Sequence, residues 1–213
     1  MNQPLQSSYK GKRVLLTVHP GFKGSWLAIW LKELGADVIG FALDPKTQRD
    51  NFVVTGLSDK IQDIRGDIRD GDRLMRLIRE EQPEMIFHLA AQALVFASYR
   101  DPLETLESNI IGTANVLEAI RNTDSVHTGI MITSDKCYEN REAIWGYREN
   151  DALGGYDPYS ASKGSAELII NSYRSSFLRN NGTAVASARA GNVIGGGDWS
   201  DYRLIPDIIR AFE

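Results

Sequence analysis

Short apolar runs alternate along this chain with longer segments in which apolar residues recur every three or four positions. The runs predict buried strands at residues 12–18, 37–43, 61–70, 84–91, 128–134 and 183–191, the third leading into an Asp-rich turn. The longer segments predict helices at residues 22–35, 71–82, 102–121, 159–179 and 204–213. Strands and helices therefore follow one another along almost the whole sequence.

This alternation predicts an α/β fold. Several strands are apolar almost throughout, which is typical of a parallel sheet covered by helices on both faces. The N-terminal order of strand, glycine turn, helix and strand indicates a doubly wound, Rossmann-type dinucleotide fold. No block of elements follows the helix at 204–213. We therefore expect one Rossmann-type domain over residues 1–213, with a C-terminal substrate region that is largely absent.

Composition and charge narrow the classes of function. The 213 residues are 42% hydrophobic and 24% charged, and the formal net charge of −4 argues against a general nucleic-acid binder. Cys137 is the sole cysteine, so an intrachain disulfide and a thiolate metal cluster are excluded, and we expect no metal. The sequence shows neither a signal peptide nor an apolar run of membrane-spanning length. We expect a cytoplasmic protein without a membrane partner.

The turn after the first strand carries an incomplete dinucleotide motif. Gly21 and Gly24 take the second and third positions of the glycine fingerprint, and the helix start formed by Gly21, Phe22 and Gly24 offers backbone N–H groups to an anion. Val18 takes the first position, where a β-branched residue adopts a positive φ only at a cost. Either Val18 is extended, or the turn is reshaped and cofactor affinity falls. A turn without any ligand is the remaining alternative.

Other strand ends offer further candidate contacts to a dinucleotide. Asp44 lies about twenty residues beyond the glycine turn, where an acid binds ribose hydroxyls, although a plain turn residue is equally favoured. Asp67 and Ile68 follow the third strand, where they would meet an adenine edge or simply form a loop. His88 is either part of the site or a hydrogen-bonded core histidine. The small residues after it let a cofactor lie close, and the candidates are Ala90, Ala91 and Gln92.

A tyrosine and a lysine one helical turn apart point to proton transfer. Tyr159 and Lys163 have the i, i+4 spacing that places two side chains on one helix face. An ammonium beside a phenol lowers the phenol pKa from about 10, so Tyr159 could take a proton from an alcohol while a nicotinamide accepts hydride. Ser134, at the end of the fifth strand, could hydrogen-bond the same alcohol. The alternative is a surface tyrosine beside a solvated lysine.

Asp135 and Lys136 directly follow Ser134. A simple dehydrogenase does not require a further acid and base at this point, so the pair indicates more proton transfers than oxidation alone demands. The alternatives are a turn cap for Asp135 and an exposed loop charge for Lys136.

The stretches at residues 145–150, 154–164 and 189–199 are long and specific. Together with shorter stretches elsewhere in the chain, they resemble the extended short-chain dehydrogenase/reductases, the NAD-dependent epimerase/dehydratase family, and within it the 4,6-dehydratases of CDP-glucose. The chain departs from that family at Val18 and Pro20, where glycine and threonine are usual, and at Phe96, where arginine is usual. Family members also continue well past Glu213. The matching stretches are residues 21–27, 66–70, 88–92, 132–140, 145–150, 154–164 and 189–199.

The resemblance implies a lyase reaction on a sugar nucleotide, with NAD as cofactor. Tyr159 would take the C4 hydroxyl proton while NAD accepts the C4 hydride. Lys136 then has the position of the base at C5, and Asp135 that of the acid for the departing C6 hydroxyl. Water leaves, hydride returns to C6, and the cofactor ends as NAD. As a base, Lys136 would need a pKa below about 10.4.

The resemblance also implies partners. The substrate would be CDP-glucose or another NDP-hexose, bound by a region that begins near residue 190 and runs to 213, and the pathway would be deoxysugar synthesis for lipopolysaccharide O-antigen. The helices beginning near Pro102 and Tyr159 would pair with a second copy in a four-helix homodimer contact. The candidate substrate-binding residues are Asn192, Arg203, Tyr147 and Arg148.

Two rival hypotheses stay open at this point. A non-catalytic nucleotide-binding module is favoured by Val18 and by the short C-terminal part, whereas the intact set around Tyr159 opposes it. An epimerase or simple dehydrogenase on the same scaffold is opposed by Asp135 and Lys136.

Overall fold

Six parallel strands, each at a predicted apolar run, form the centre of the protein in a computed structural model that describes residues 3–213. The strand order is β3-β2-β1-β4-β5-β6, which confirms the doubly wound fold. The direction of winding reverses between β1 and β4, and ligands of such sheets bind beyond the carboxyl ends of the strands at this switch point. The strands are β1 Arg13–Thr17, β2 Asp37–Ala42, β3 Gln62–Arg65, β4 Met85–His88, β5 Thr128–Ser134 and β6 Ala184–Ala190.

Helices cover both faces of this sheet. The five predicted helices are present with slightly different ends, and π-helical turns at Glu107–Ile111 and Arg174–Leu178 join α6 to α7 and extend α8. Helices α1, α3 and α5 were not predicted. The helices are α1 Gln3–Tyr9, α2 Phe22–Glu33, α3 Asn51–Val54, α4 Gly71–Glu81, α5 Val95–Arg100, α6 Pro102–Leu106, α7 Gly112–Arg121, α8 Pro158–Tyr173 and α9 Leu204–Phe212.

The alternation of side chains along the strands divides the core into two layers. Leu15 of β1 points into the layer under α4, α7 and α8, together with Ile39, Phe41, Ile86 and Met131 from the other strands. Its neighbours Val14 and Leu16 pack on the opposite face against α2, through residues such as Ala28 and Leu31. Burial on both faces explains why the strand sequences are apolar almost throughout.

Polar caps fix where several helices begin. Asp70 accepts a hydrogen bond from the Arg73 N–H at 3.0 Å at the start of α4, and Asp157 accepts one from the Ser160 N–H at 2.9 Å at the start of α8. Helix α2 begins at extended Gly21 with no side-chain cap and no acidic residue in its first turn. Its first backbone N–H groups therefore remain available to an external acceptor.

No helix between residues 3 and 213 combines the length and apolar character needed to cross a membrane. Within the same range, no group of three or more His, Cys, Asp or Glu side chains is arranged to hold a metal ion.

Candidate active site

A cleft of about 600 Å³ opens beyond the carboxyl ends of β4, β5 and β6. The strand order explains its position, because the ends of neighbouring parallel strands meet at one edge of the sheet. The cleft brings together most of the residues that the sequence assigns to catalysis and substrate binding. Those that line it are Ser134, Asp135, Lys136, Tyr159, Lys163, Asn192 and Arg203.

The start of α8 places Tyr159 and Lys163 side by side. Asp157 caps the helix and Pro158 begins it, so its first turn is fixed where it meets the end of β5. Tyr159 is 8% exposed and Lys163 is 7% exposed, and the Lys163 Nζ lies 6.0 Å from the centre of the tyrosine ring. This burial rules out the surface tyrosine with a solvated lysine.

The pKa of the Tyr159 phenol is shifted in the direction opposite to the sequence prediction. Burial raises the pKa of the Tyr159 phenol above its ordinary value of 10.0, and the neighbouring Ser134 hydroxyl only partly offsets this. The carboxylate of Asp135 raises the pKa further, whereas Arg203 lowers it. The predicted lowering of the phenol pKa is therefore wrong, because desolvation of the phenolate outweighs the nearby positive charge.

Lys163 is itself strongly perturbed. Its pKa is lowered from 10.5 to about 8, first by burial and then by the positive charge of Lys23, while Glu167 acts in the opposite direction. Lys23 lies in the first turn of α2 and also lines the cleft, where burial and Arg203 lower its pKa. Lys23 is not among the residues predicted from the sequence, since a lysine in a first helical turn gives no local sign of burial.

A short 3-10 turn, Asp135–Cys137, directly follows Ser134 at the end of β5. The Ser134 hydroxyl donates to the Asp135 carboxylate at 3.0 Å and accepts from the Lys136 N–H at 3.2 Å. Ser134 is therefore the capping residue, and the turn-cap alternative for Asp135 is wrong. The side chains of Asp135 and Lys136 both line the cleft.

A buried polar network centred on Glu167 lies next to this turn. Glu167, 4% exposed and one turn beyond Lys163, accepts from Arg189 at 2.8 Å and from Ser187 at 3.0 Å, and it also accepts from Thr133. Burial alone would raise the pKa of Glu167, but these hydrogen bonds hold it below its ordinary value. The network joins α8 to β5 and β6 directly behind the catalytic candidates.

In the glycine turn, the backbone of Val18 is left-handed and not extended. Its φ is +62°, so the extended alternative is wrong and a β-branched residue stands in the left-handed region. The Val18 carbonyl would lie 1.9 Å from a Cβ on Gly24, which leaves no room for a side chain there. A Cβ on Gly21 would lie 2.6 Å from the Val18 Cγ1, so the valine methyl covers that glycine.

The candidates for the adenosine half lie around a smaller cleft of about 70 Å³. Asp67, Ile68, Ala90 and Ala91 line it together with Val18. The Asp67 carboxylate already accepts hydrogen bonds from the Arg69 side chain at 2.6 and 2.8 Å, and this pairing lowers the pKa of Asp67. Ile68 and Ala90 are buried.

Asp44 stands apart from this cleft, at the carboxyl end of β2. Its side chain is 86% exposed and its carboxylate lies 3.5 Å from the Arg65 Nε. A carboxylate at the end of the second strand has the place expected of a ribose ligand, and its role stays a prediction.

Two candidate site residues at or just after the end of β4, His88 and Gln92, form hydrogen bonds with other side chains of the protein. His88 is 2% exposed between Thr17 and Thr113, each 3.1 Å from a ring nitrogen, so it is the core histidine. Burial, followed by the charge of Lys163, lowers the pKa of His88 to about 3. The Gln92 side chain donates to the Thr105 hydroxyl at 2.8 Å, which ties it to the loop around it.

The structure does not bring Tyr147 and Arg148 into the cleft. Tyr147 stacks on Tyr138 with ring centres 4.8 Å apart, and its hydroxyl donates to Asn140 at 2.9 Å. Arg148 is exposed on the outer side of the same loop. Phe96 and Tyr202 also line the cleft, and their rings stack with centres 4.8 Å apart.

Comparison with known proteins agrees with this geometry. The profile of the family described as GDP-mannose 4,6 dehydratase matches residues 15–195. This chain belongs to that family, one of the extended short-chain dehydrogenase/reductases. It is 52% identical over 210 residues to a CDP-glucose 4,6-dehydratase of Salmonella typhimurium, covering 96% of this chain. It is 30% identical over 206 residues to a CDP-paratose 2-epimerase of Salmonella typhi, covering 89% of this chain.

Solved structures of similar proteins show the same fold. MoeE5 in complex with UDP-glucose and NAD superposes with a TM-score of 0.77 at 26% identity, covering 93% of this chain and 60% of MoeE5. An epimerase from Methanothermobacter thermautotrophicus gives a TM-score of 0.83 at 27% identity, covering 97% of this chain and 60% of the epimerase. The chain spans 58% of the length of the Salmonella typhimurium relative and 60% of the Salmonella typhi relative.

Proposed function

We propose that this chain carries the catalytic residues of an NAD-dependent sugar-nucleotide 4,6-dehydratase that acts on CDP-glucose. The observation that carries the proposal is the convergence of Ser134, Asp135, Lys136, Tyr159 and Lys163 on one cleft. The identity of 52% to a relative named CDP-glucose 4,6-dehydratase supports the choice of reaction and of nucleotide.

The residues around the switch point fit a dinucleotide. The close approach of Gly24 to the Val18 carbonyl is the packing that the fingerprint requires, and the uncapped start of α2 leaves N–H groups for a diphosphate. Gly21, Phe22 and Gly24 would hold the diphosphate, with Asp44 at the ribose and Asp67, Ile68, Ala90, Ala91 and Gln92 around the adenosine. NAD, when bound, would supply reversible acceptance of hydride from the sugar.

The side chains of the cleft would then divide the proton transfers. Tyr159 takes the proton of the C4 hydroxyl, which Ser134 orients. Because burial raises the phenol pKa, this transfer requires that Lys163 remain charged beside it. Lys136 removes the C5 proton, and Asp135 gives a proton to the C6 hydroxyl, which leaves as water. C5 later takes back a proton that has exchanged with solvent. The need for an acid and a base in addition to Tyr159 distinguishes this dehydration from a simple oxidation.

The domain division and the assembly are part of the proposal. Residues from about 190 to 213 begin the sugar-nucleotide region, with Asn192 and Arg203 in the cleft. Two protomers pair through the helix that runs from α6 to α7 and through α8, since each exposes apolar side chains, among them Leu103 at 69% and Leu168 at 61%. A cytoplasmic location and a role in O-antigen deoxysugar synthesis remain predictions.

Mass spectrometry tests the reaction directly. The full chain incubated with CDP-glucose and NAD should yield a sugar nucleotide lighter by one water, and Tyr159→Phe should reduce the rate by at least about a hundredfold, as expected for loss of a positioned acid or base. Absence of this product at any NAD concentration would contradict the proposal and favour the non-catalytic module, which the strained Val18 also favours.

Isotope labelling separates the dehydratase from an epimerase. In deuterium oxide the product should gain deuterium at C5, while the original C4 hydrogen appears at C6. Retention of the hydrogen at C4 would contradict the dehydratase and support an epimerase on the same scaffold.

A further inference from the structure

We propose that Phe22, Trp26 and Asn51 form a seat for the glycine loop 195–197 and thereby position Arg203 over the cleft. The seat lies on the nucleotide-binding half of the fold, whereas the loop belongs to the segment beyond β6. The ligand assigned to Arg203, the diphosphate of a sugar nucleotide, rests on the proposed function. The docking of the loop does not.

Each glycine of the loop meets one residue of the seat. A Cβ on Gly195 would lie 2.9 Å from the Phe22 ring, so the ring packs directly against the loop backbone. The Trp26 Nε1 donates to the Gly196 carbonyl at 2.9 Å. Gly197 has a φ of +79°, and a Cβ there would lie 2.5 Å from the Asn51 Cβ. A side chain at position 195 would clash with Phe22, and one at position 197 would clash with Asn51, so either would displace the loop from the seat.

Contacts that do not involve the loop hold the members of the seat together. Phe22 and Trp26 are four residues apart in α2 and share one face of that helix. The Asn51 side chain donates to the buried Ser25 hydroxyl at 2.9 Å, and that hydroxyl donates to the Phe22 carbonyl, also at 2.9 Å. These bonds join α3 to the first turn of α2, so the three members form one surface.

Asp198, which directly follows the glycine loop, holds Arg203 through an ion pair. The Asp198 carboxylate is 6% exposed and accepts from the Arg203 Nη1 at 2.7 Å. Asp198 also accepts from the Ser200 N–H at 3.1 Å, which closes the turn. A flexible run of three glycines would otherwise leave this carboxylate, and the arginine it holds, with many conformations.

The position of Arg203 suits an anionic ligand. Its guanidinium lines the cleft together with Lys23, so two cationic side chains face the same space. Only one of its N–H groups is used by Asp198 in the hydrogen bonds found for residues 3–213. The remaining donors of a guanidinium match two phosphate oxygens, which favours a diphosphate over a neutral sugar hydroxyl.

Trp26→Phe tests the seat, because it removes the indole N–H and keeps an aromatic ring. Trp30→Phe is the matched control, since Trp30 lies one turn later in α2, is 55% exposed and makes no side-chain hydrogen bond found within residues 3–213. Hydrogen exchange followed by mass spectrometry on the chain without ligand should show faster exchange over residues 195–203 in Trp26→Phe, by about three- to tenfold, and no change in Trp30→Phe.

Binding of CDP-glucose, measured by calorimetry, tests the role of Arg203. Trp26→Phe should weaken it about three- to tenfold, and should add nothing in the background of Arg203→Ala if the effect runs through that arginine. Gly195→Ala, which places a methyl group against the Phe22 ring, should reproduce both effects. Circular dichroism melting would show that the fold of each variant is intact.

Equal exchange in Trp26→Phe and Trp30→Phe would overturn the seat. Additive losses in the double variant would overturn positioning through Arg203. Failure of the wild-type chain to bind CDP-glucose would overturn the proposed function and the ligand assigned to Arg203, while the exchange experiment still decides whether the loop is docked.

Discussion

At the scale of single residues, Val18 shows how one substitution strains a turn that the rest of the fold retains. Its positive φ is enforced by the packing of its carbonyl against Gly24, so the valine takes a conformation that suits glycine. A left-handed non-glycine residue costs about 1–2 kcal/mol. Val18→Gly should therefore have a free energy of unfolding about 1 kcal/mol above that of Val18→Ala, measured by urea denaturation.

The alanine variant is the control for the lost methyl groups, because both variants remove them and only glycine relieves the backbone. Removing the methyl that covers Gly21 should also tighten NAD binding in both variants, which calorimetry can measure. Equal free energies of unfolding for Val18→Ala and Val18→Gly would contradict backbone strain at position 18.

Lys163 illustrates a catalytic candidate that lowers stability. Its pKa of about 8 in the folded protein, against 10.5 ordinarily, means that burying the ammonium opposes folding. Lys163→Met should raise the free energy of unfolding at pH 7 by up to about 3 kcal/mol while abolishing activity, since each unit of pKa corresponds to about 1.4 kcal/mol.

The sign of the pH dependence follows from the depressed pKa. Below pH 8 the lysine is charged in both states and its burial opposes folding fully; between pH 8 and 10.5 the folded protein releases the proton first. The advantage of Lys163→Met should therefore shrink as pH rises from 8 towards 10.5. Urea denaturation at pH 7 and pH 9.5 measures this, and a constant or growing advantage would contradict it.

Much of this site could be predicted from single residues in the sequence. The i, i+4 spacing of Tyr159 and Lys163 and the position of Ser134 at a strand end are local features. The raised pKa of Tyr159 and the role of Lys23 could not be predicted, because both depend on burial that only the assembled cleft creates. Tyr147 and Arg148 were misplaced for a related reason: a matching motif does not fix where an exposed loop lies.

At the scale of elements, the sheet strands and long helices were predictable because each buries a regular face. The helices that were missed, α1, α3 and α5, are short and carry no clear apolar period. Helix α5 also begins at Leu94 without a side-chain cap, so its sequence gives no sign of a start. The strand positions were recovered because apolar runs record burial on both faces of a parallel sheet.

The ion pair between α8 and β6 should be the polar contact on which the packing of these elements depends most. Glu167→Gln leaves the Arg189 charge, 19% exposed, without its carboxylate and should lower the free energy of unfolding by about 3 kcal/mol. Glu139→Gln is the matched control, because its pair with Arg141 is solvent-exposed and should contribute far less to stability than the buried pair. Equal losses for the two variants, by chemical denaturation, would contradict this ranking.

At the scale of the whole molecule, the strand order decides where chemistry occurs. The fold class was predictable from the N-terminal order of elements alone, and the switch point between β1 and β4 then fixes the edge at which strand-end residues meet. The contacts between the glycine loop and α2 were not predictable, because they join residues such as Trp26 and Gly196 that lie far apart in the sequence. Local periodicity carries no information on such pairs.

The proposed dimer makes the last prediction, at the same scale. Leu168 on α8 is 61% exposed, and Ile111, in the π-helical turn between α6 and α7, is 53% exposed, so both helices present apolar residues to solvent in a single chain. A charge placed in a buried helix contact between protomers is costly to desolvate. Leu168→Glu should therefore convert a dimer into a monomer, measured by light scattering after size-exclusion chromatography.

Leu204→Glu is the control, because Leu204 is 74% exposed on α9, outside the proposed contact, and should leave the dimer intact. Since both leucines are exposed in the single chain, neither change should disturb the fold, and melting curves would verify this. If the wild-type chain were monomeric at tens of micromolar, or if Leu168→Glu stayed dimeric, these two helices would not form the contact between protomers, and their apolar side chains would require another explanation.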